Sequence, residues 1–489
     1  MTASLRHRLA LLVSVVAAML VAMDGTVLLV AQPSLGRSLG AGVAEVQWTS
    51  TGYLVAVAAL LVISGRLGDR YGHQRLLFVG VLGFGAASAG IALAPSVGWV
   101  IGLRAVQGGF GALLQPASLA LLRLAAPAER LGRLVAVRTS AIGVAAGVGP
   151  LLGGVLVAHL GWRSVFWLNT PVAVLIAVLT LAAVRPSATE RAGGAGSRRL
   201  DLGGAALLAT ALAVLVDALA GIPSHGWTGA RTLLGLLAAT GLTAVLVRHE
   251  RRAADPIVPR AVTRSAPVTA SMAILLFTGA GMYGALFTAT FYLQDVLRLD
   301  PLATGLRVLP LTVFMVLGAP VAGAALGRLG PRRTAVIGSA LVVLGIGGLS
   351  QLGPVEAVAA AGASFAALGA GFAFVMVTAT GTVIGDAPAG YAGVVGGLKQ
   401  TAMNIGPTLG IAVAASARTA SAHAASAGAP AMGHALPALA VVAALGLPST
   451  ALLPPRPTRP RTRPEAGPAA QSEARPEAQP DQVRARAGG

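Results

Sequence analysis

Two charged side chains lie inside long apolar runs of the sequence, and their residue types are suited to carrying a proton. Asp24 falls within residues 9–32 and Arg104 within residues 99–122. A charge inside a membrane span is costly and usually functional. A nearby guanidinium favours the charged carboxylate, whereas burial favours the protonated one, so a carboxylate poised between them can take up and release a proton. The alternative is a static ion pair that only orients two helices.

The other polar groups in apolar runs are weaker candidates. Arg138 lies about one turn from the inner end of its span and can extend its side chain to the membrane surface. The roles of Arg138 and of Asp217, near the end of another run, stay open. Four uncharged residues are expected either to line a cavity or only to bond neighbouring helices: Gln107, Gln115, Asn169 and Asn404. The sequence offers no nucleophile–base pair and no metal-ligand cluster, so we expect no enzyme, no metal site and no cofactor.

The composition excludes an ordinary soluble protein. Of 489 residues, 55% are hydrophobic and only 11% are charged, whereas soluble domains carry about 25% charged residues. Uncharged runs such as 76–101 reach the length of about 18 residues or more that spans a bilayer as a helix. The alternating pattern of a membrane barrel is absent, so the spans are α-helices, which satisfy their own backbone groups in lipid. The absence of cysteine excludes disulfides and thiolate metal sites.

Fourteen spans are predicted, which makes this an all-α membrane protein. They are residues 9–32, 48–66, 76–95, 99–122, 134–157, 164–184, 202–221, 231–248, 268–292, 302–326, 333–352, 357–385, 393–416 and 435–453. With the N-terminus inside, Asp24 lies roughly 12 Å and Arg104 roughly 8 Å from the outer ends of their helices. The two side chains are therefore expected to meet at similar depth.

The positive charges predict the orientation. With both termini inside, 28 of the 36 Lys and Arg residues, Lys399 among them, fall on the inner side and 6 on the outer side. Such a bias marks the cytoplasmic side of a cell-membrane protein. The net charge of +19 is therefore assigned to topology and to anionic lipids at the cytoplasmic face, and not to nucleic acid.

An internal repeat divides the chain. The sequence GRLGDRYGHQR at 65–75 recurs as GAALGRLGPRR at 323–333, offset by 258, and GPLLG at 149–153 recurs as GPTLG at 406–410, offset by 257. Parallel repeats build many secondary transporters. We predict a six-helix bundle in 1–190, two inserted helices with cytoplasmic linkers in 191–262, a second six-helix bundle in 263–453 and a disordered cytoplasmic tail in 454–489.

Four sequence blocks resemble the major facilitator superfamily, and within it the fourteen-helix drug:proton antiporter branch. DGTVLLVAQP at 24–33 is similar to the first-helix signature of that branch, residues 65–75 to the superfamily's motif between helices 2 and 3, and RAVQG at 104–108 to the fourth-helix motif. GVAAGVGPLLGG at 143–154 resembles the fifth-helix motif associated with antiporters. The loop motif of the family usually has basic residues where His73 and Gln74 stand.

The resemblance implies the major facilitator fold and roles for the matching residues. Asp24 and Arg104 would couple proton movement. Asp69 would bond across to the second bundle and hold the cytoplasmic gate shut, within a motif formed by Gly65, Asp69, Arg70, Gly72 and Arg75. A tight contact with the other bundle, or simple packing, would use the fifth-helix residues Gly143, Gly147, Gly149, Pro150, Gly153 and Gly154.

The leading hypothesis is therefore a proton-driven exporter of hydrophobic or amphipathic drugs or antibiotics, working by alternating access as a monomer. Its partners would be a small-molecule substrate and protons, with a proton gradient and no cofactor as the energy source. A proton-coupled importer or metabolite transporter on the same fold is one alternative, and a non-transporting membrane receptor or scaffold is another. The sequence does not identify the substrate.

Overall fold

The computed structural model describes residues 3–125, 131–183, 201–253, 255–293, 297–299, 301–350, 358–387, 391–425 and 435–455. Over these residues the chain is almost wholly helical and has no β-strand. Residues 456–489 of the predicted tail and much of the predicted linker after the sixth helix lie outside the described residues.

Fourteen long helices follow one another along the described chain. They are α1 (Ala3–Leu39), α2 (Val43–Tyr71), α3 (His73–Ala92), α4 (Val97–Ala125), α5 (Leu131–Leu160), α6 (Arg163–Ala183), α7 (Leu202–His225), α8 (Ala230–Glu250), α9 (Ala266–Phe291), α10 (301–329) and α11 (331–350), α12 (Val358–Gly385), α13 (Ala392–Ala425) and α14 (Ala435–Ala444). One helical turn, Arg260–Thr263, precedes α9, and a 3₁₀ turn, Pro448–Leu452, follows α14.

The helix count agrees with the prediction once two features are considered. Twelve helical segments of the described chain are long and apolar enough to cross a membrane. One of them, Pro301–Ser350, breaks at Gly330, whose backbone is not helical, and so forms both α10 and α11. The remaining helix, α13, falls outside the twelve and contains Lys399 within its span.

Two turn glycines reproduce the internal repeat in the backbone. Gly72 separates α2 from α3 with φ 94°, and Gly330 separates α10 from α11 with φ 80°. Only glycine adopts this left-handed region at little cost. The two positions are related by the same offset of 258 as the surrounding motifs, so the repeated sequence forms the same sharp turn twice.

Two large apolar clusters sit in different sets of helices. The first joins α1, α2, α3, α4 and α6 around residues that include Leu61, Phe84 and Leu114. The second joins α9 to α14, with Phe365 and Leu439 near its centre. Outward-facing leucines and valines are numerous on the helix surfaces, as lipid-facing helices require.

The inserted pair α7–α8 packs against both sets. Ala205 and Leu208 of α7 share a buried cluster with Val62 of α2 and Val394 of α13. At the same end, Asp201 caps α7 by accepting a hydrogen bond from the Gly204 N–H at 2.9 Å. This end of the bundle, where α2 passes into α3, is called the α2–α3 end below.

Candidate functional site

The buried centre of the site is an ion pair between α1 and α4. Asp24 is 2% exposed and Arg104 is 1% exposed. Arg104 Nη1 donates to Asp24 Oδ2 at 2.7 Å. The sequence expectation that the two side chains meet at one depth is therefore met in the structure.

The second carboxylate oxygen of Asp24 is held by two amides. Asn169 Nδ2 of α6 donates to Asp24 Oδ1 at 2.7 Å, and Gln107 Nε2 of α4 donates to the same oxygen at 3.2 Å. Gln107 also donates to Ser88 Oγ of α3 at 2.7 Å. Gln107 and Asn169 are thus buried partners of Asp24. Side chains from α1, α4 and α6 meet at this carboxylate, and Ser88 links α3 to it through Gln107.

The guanidinium of Arg104 is enclosed on its other sides. Its Nε donates to the Thr49 carbonyl oxygen at 3.0 Å, and Nη1 also donates to Gln107 Oε1 at 2.6 Å. The ring of Tyr53 covers it, with the guanidinium carbon 4.4 Å from the ring centroid. An arginine over an aromatic face is stabilised by the ring quadrupole. The Tyr53 hydroxyl is buried without a hydrogen-bond partner in the described chain.

The network contains an ion pair that protonation of Asp24 would break. An ionised carboxylate accepts at both oxygens, whereas the protonated form must donate one bond. Protonation of Asp24 would therefore leave Arg104 as a buried charge without its counter-ion, which is strongly unfavourable. The geometry is compatible with an ion pair that breaks on protonation and with a static ion pair. A measurement of proton-coupled transport distinguishes the two.

Asp69 joins α2 to α13 at the α2–α3 end. Its carboxylate accepts hydrogen bonds from the backbone N–H of Gly393 at 2.8 Å and of Val394 at 3.1 Å. These are free N–H groups of the first turn of α13, where the helix dipole also favours a negative charge. His73 Nε2 lies 3.1 Å from the same carboxylate. The cross-link expected for Asp69 is present.

The other residues of this motif differ in what they contact. Gly65 lies so close to Gly393 that a Cβ on either would strike the backbone of the other. Gln74 Nε2 donates to the Thr180 carbonyl of α6 at 3.1 Å. Arg70 and Arg75 are both exposed, and Arg70 stacks over the ring of Tyr71. His73 and Gln74, which depart from the family's basic residues, therefore both make tertiary contacts.

The α5 glycines face two different neighbours. Gly143 and Gly147 lie against α10, at Met315 and Thr312, and Ser140 Oγ donates to the Val316 carbonyl at 3.0 Å. The other contact glycines lie against α1: Gly149 meets Thr26 and Gly153 meets Val27, while Gly154 has open space around it. The contact expected with the second bundle is thus made by Gly143 and Gly147, whereas Gly149 and Gly153 pack beside Asp24. Pro150 lies within α5.

Two cations were misplaced by the sequence reading. Lys399, counted among the inner-side charges although the predicted span 393–416 contains it, lies two turns inside α13 and is 1% exposed. Arg138, expected to reach the membrane surface, is 7% exposed and its Nη2 donates to Ser118 Oγ of α4 at 3.2 Å. The bounds of the predicted span, 393–416, already put Lys399 inside a helix, and this was the signal for its burial.

The remaining candidates are peripheral to this network. Asn404 has a buried Nδ2 without a hydrogen-bond partner in the described chain, and the backbone oxygen of Gln115 accepts from Ser118. Asp217 of α7 lies 3.8 Å from Arg231 of α8, with both side chains partly exposed. None of these three contacts the Asp24 carboxylate in the described part of the chain.

Comparison with known proteins gives consistent results. The family model described as Major Facilitator Superfamily matches residues 14–411. The chain is 40% identical over 82% of its length to the tetracenomycin C resistance and export protein of Streptomyces glaucescens, covering 74% of that protein. It is 32% identical over 80% of its length to the multidrug resistance protein Stp of Mycobacterium tuberculosis, covering 72% of it. The solved proton:xylose symporter XylE superposes with a TM-score of 0.60 over 92% of this chain and 95% of its own, at 17% identity, which shows the fold alone.

Proposed function

The chain belongs to the major facilitator superfamily, and on that premise we propose that it exports hydrophobic or amphipathic drugs or antibiotics in exchange for protons. The observation that carries the coupling is the buried Asp24–Arg104 pair with its closed shell of donors. Relatives named for antibiotic export and multidrug resistance support the direction of transport and the substrate class.

The orientation follows from the charge bias. We place both termini and the α2–α3 end in the cytoplasm, in the cell membrane of the source organism, because Arg66, Arg70 and Arg75 cluster there. Anionic lipids would then lie against this basic end. The bonds from Asp69 to α13 support the proposal that this end is closed and that substrate does not enter from inside in this state.

The transport cycle is derived from these two contacts. A proton arriving from outside neutralises Asp24, which frees Arg104 and loosens the four-helix junction among α1, α3, α4 and α6. Thr26, two residues beyond Asp24, packs on Gly149 of α5, and the same helix contacts α10 through Gly147. A shift of α1 would therefore be transmitted to the contact between the two bundles and would help separate Asp69 from α13.

The test is substrate-induced proton movement in everted membrane vesicles. Lipophilic dyes and antibiotics are added to vesicles that hold a pH gradient, and the gradient is followed with a fluorescent weak base. We expect substrates to dissipate the gradient in the wild type and in Asp217→Asn, but not in Asp24→Asn or Arg104→Ala. Dissipation that persists in Asp24→Asn would mean that the pair is structural. If compounds bind without any proton movement, the importer and receptor alternatives gain support.

A further inference from the structure

Two buried cations face the boundary between the first six and the last six helices, and the coupling mechanism uses neither. Lys399 of α13 and Arg138 of α5 are 1% and 7% exposed. The helices that carry them are repeat equivalents, because GPLLG of α5 and GPTLG of α13 are offset by 257. Lys399 and Arg138 are 261 positions apart, about one helical turn from exact equivalence. The two bundles thus each contribute one cation.

Contacts of α4 place both cations beside the same stretch of that helix. Arg138 Nη2 bonds Ser118 of α4, and a Cβ on Gly396 of α13 would lie 3.6 Å from Pro116, two residues before Ser118. Lys399 follows Gly396 by one turn on α13. The Lys399 ammonium and the Arg138 guanidinium carry like charges, so they repel each other. Two positive charges therefore lie beside α4, one contributed by α5 and one by α13.

Neither charge has a counter-ion in the described part of the chain. Arg138 Nε is buried without a hydrogen-bond partner, and no acceptor contacts Lys399 among the described residues. The carboxylates of Asp24 and Asp69 are already committed, since Asp24 holds Arg104 and Asp69 holds α13. Burying an unpaired charge is expensive, and two like charges together cost more. Such a pair is retained where an anion completes it during the working cycle.

We propose that Lys399 and Arg138 bind the anionic group of an amphipathic substrate, a carboxylate or a phenolate. The inference rests on the proposed export function and specifies its substrate class. A planar guanidinium beside a mobile ammonium suits an oxyanion, because the first offers directed paired donors and the second a point charge. Next to the pair, a cavity of only about 10 Å³ is lined by apolar residues that include Leu119, Val383 and Ile384. This space holds no more than one water, so the site is closed in this structure. It would open when α13 separates from Asp69. The apolar lining would then contact the apolar part of the substrate.

The experiment compares two xanthene dyes of opposite charge on the purified full-length protein. Fluorescein is the anionic probe and rhodamine 123 the cationic one, and dissociation constants are measured by fluorescence anisotropy without a gradient. Lys399→Met removes the charge at similar side-chain length, Lys399→Arg keeps it, Arg138→Met removes the partner, and Asp217→Asn is the control. Size-exclusion profiles and melting temperatures establish that each variant is folded.

We expect the wild type and Asp217→Asn to bind fluorescein equally. Lys399→Met and Arg138→Met should each weaken fluorescein binding by roughly 10-fold or more, because a hydrogen bond to a charged group is lost. Lys399→Arg should stay within about threefold of the wild type, and rhodamine 123 should bind no more weakly to Lys399→Met than to the wild type.

Three results would overturn the proposal: no fluorescein binding by the wild type, equal fluorescein binding by wild type and Lys399→Met, or equal weakening of both dyes. Proton-driven efflux of rhodamine 123 without fluorescein binding would refute the anion site and leave export intact. Lys399-dependent fluorescein binding without proton-driven flux of any probe would refute proton-driven export and leave the anion site intact.

Discussion

The carboxylate of Asp69 accepts the backbone N–H of Gly393 at 2.8 Å, across 324 positions of sequence. This bond and its neighbour to Val394 fix the first turn of α13 against the last turn of α2. A carboxylate on a helix N-terminus is stabilised both by the free N–H groups and by the helix dipole. The contact between the bundles at this end therefore depends on one negative charge.

Replacing that charge should open the α2–α3 end. Asp69→Asn keeps the shape but loses the charge, which should cost about 1.5–3 kcal/mol of closed-state stability. The chain has no cysteine, so Ala120→Cys, in the wall of the small cavity beside α13, gives a single thiol for labelling. We expect that thiol to be labelled several-fold faster in Asp69→Asn. Glu45→Gln, at the other end of α2, is the control, and an unchanged rate in Asp69→Asn would show that the carboxylate does not hold the gate.

The Asp24–Arg104 pair can be tested by a double-mutant cycle. Asp24→Asn leaves Arg104 buried without a counter-ion and should lower stability by about 3–5 kcal/mol. Adding Arg104→Gln removes the stranded charge, so the double variant should melt closer to the wild type. Proton-coupled efflux should be absent in Asp24→Asn, in Arg104→Gln and in the double variant. Restored efflux in the double variant would show that neither charge carries the proton.

The α5 glycines should differ in their tolerance of a methyl group. A Cβ at Gly149 would collide with the Thr26 side chain, whereas one at Gly154 meets nothing within 4 Å. We expect Gly149→Ala to lose about 1–3 kcal/mol through overpacking, and Gly154→Ala to be neutral or slightly more stable. Thr26→Ala should partly rescue Gly149→Ala. The measurements are melting temperature and efflux rate, and equal behaviour of the two alanine variants would argue against the packing interpretation.

The ring of Tyr53 should matter more than its hydroxyl. The hydroxyl is buried without a hydrogen-bond partner in the described chain, while the ring covers Arg104. Tyr53→Phe should therefore retain efflux and melt at the same temperature or higher. Tyr53→Leu removes the cation–π contact and should cost about 2 kcal/mol at this desolvated site. Greater loss in Tyr53→Phe than in Tyr53→Leu would contradict this assignment of roles.

The spans and the central pair could be predicted because each depends on local sequence or on a simple depth argument. Asp24 and Arg104 stand out as charges in apolar runs, and both turn glycines lie in a repeated motif. The partners of Asp24 were harder to predict. Gln107 lies one turn from Arg104, which is a usable signal, but Asn169 reaches the carboxylate, and Ser88 reaches Gln107, only through the packing of α6 and α3.

The two cations show where sequence reasoning was wrong. Lys399 was counted with the inner-side charges although the thirteenth predicted span, 393–416, already contains it, so the charge count and the span bounds disagreed. Arg138 looked close enough to a surface to reach it, but the direction of its side chain depends on the rotation of α5 against α4. Side-chain direction on a helix is fixed by packing and not by the distance to the helix end.

The packing of α7 on both Val62 of α2 and Val394 of α13 has a consequence for access from the lipid. The seam between the bundles is covered by protein on that flank, so a lipophilic molecule diffusing within the bilayer cannot enter there sideways. Among the described residues, the inserted helices do not cover the other flank, where α5 meets α10 through small residues. A lipophilic molecule in the membrane leaflet would therefore reach the seam between the bundles from one side of the protein only. On the other side, α7 and α8 lie between the seam and the lipid.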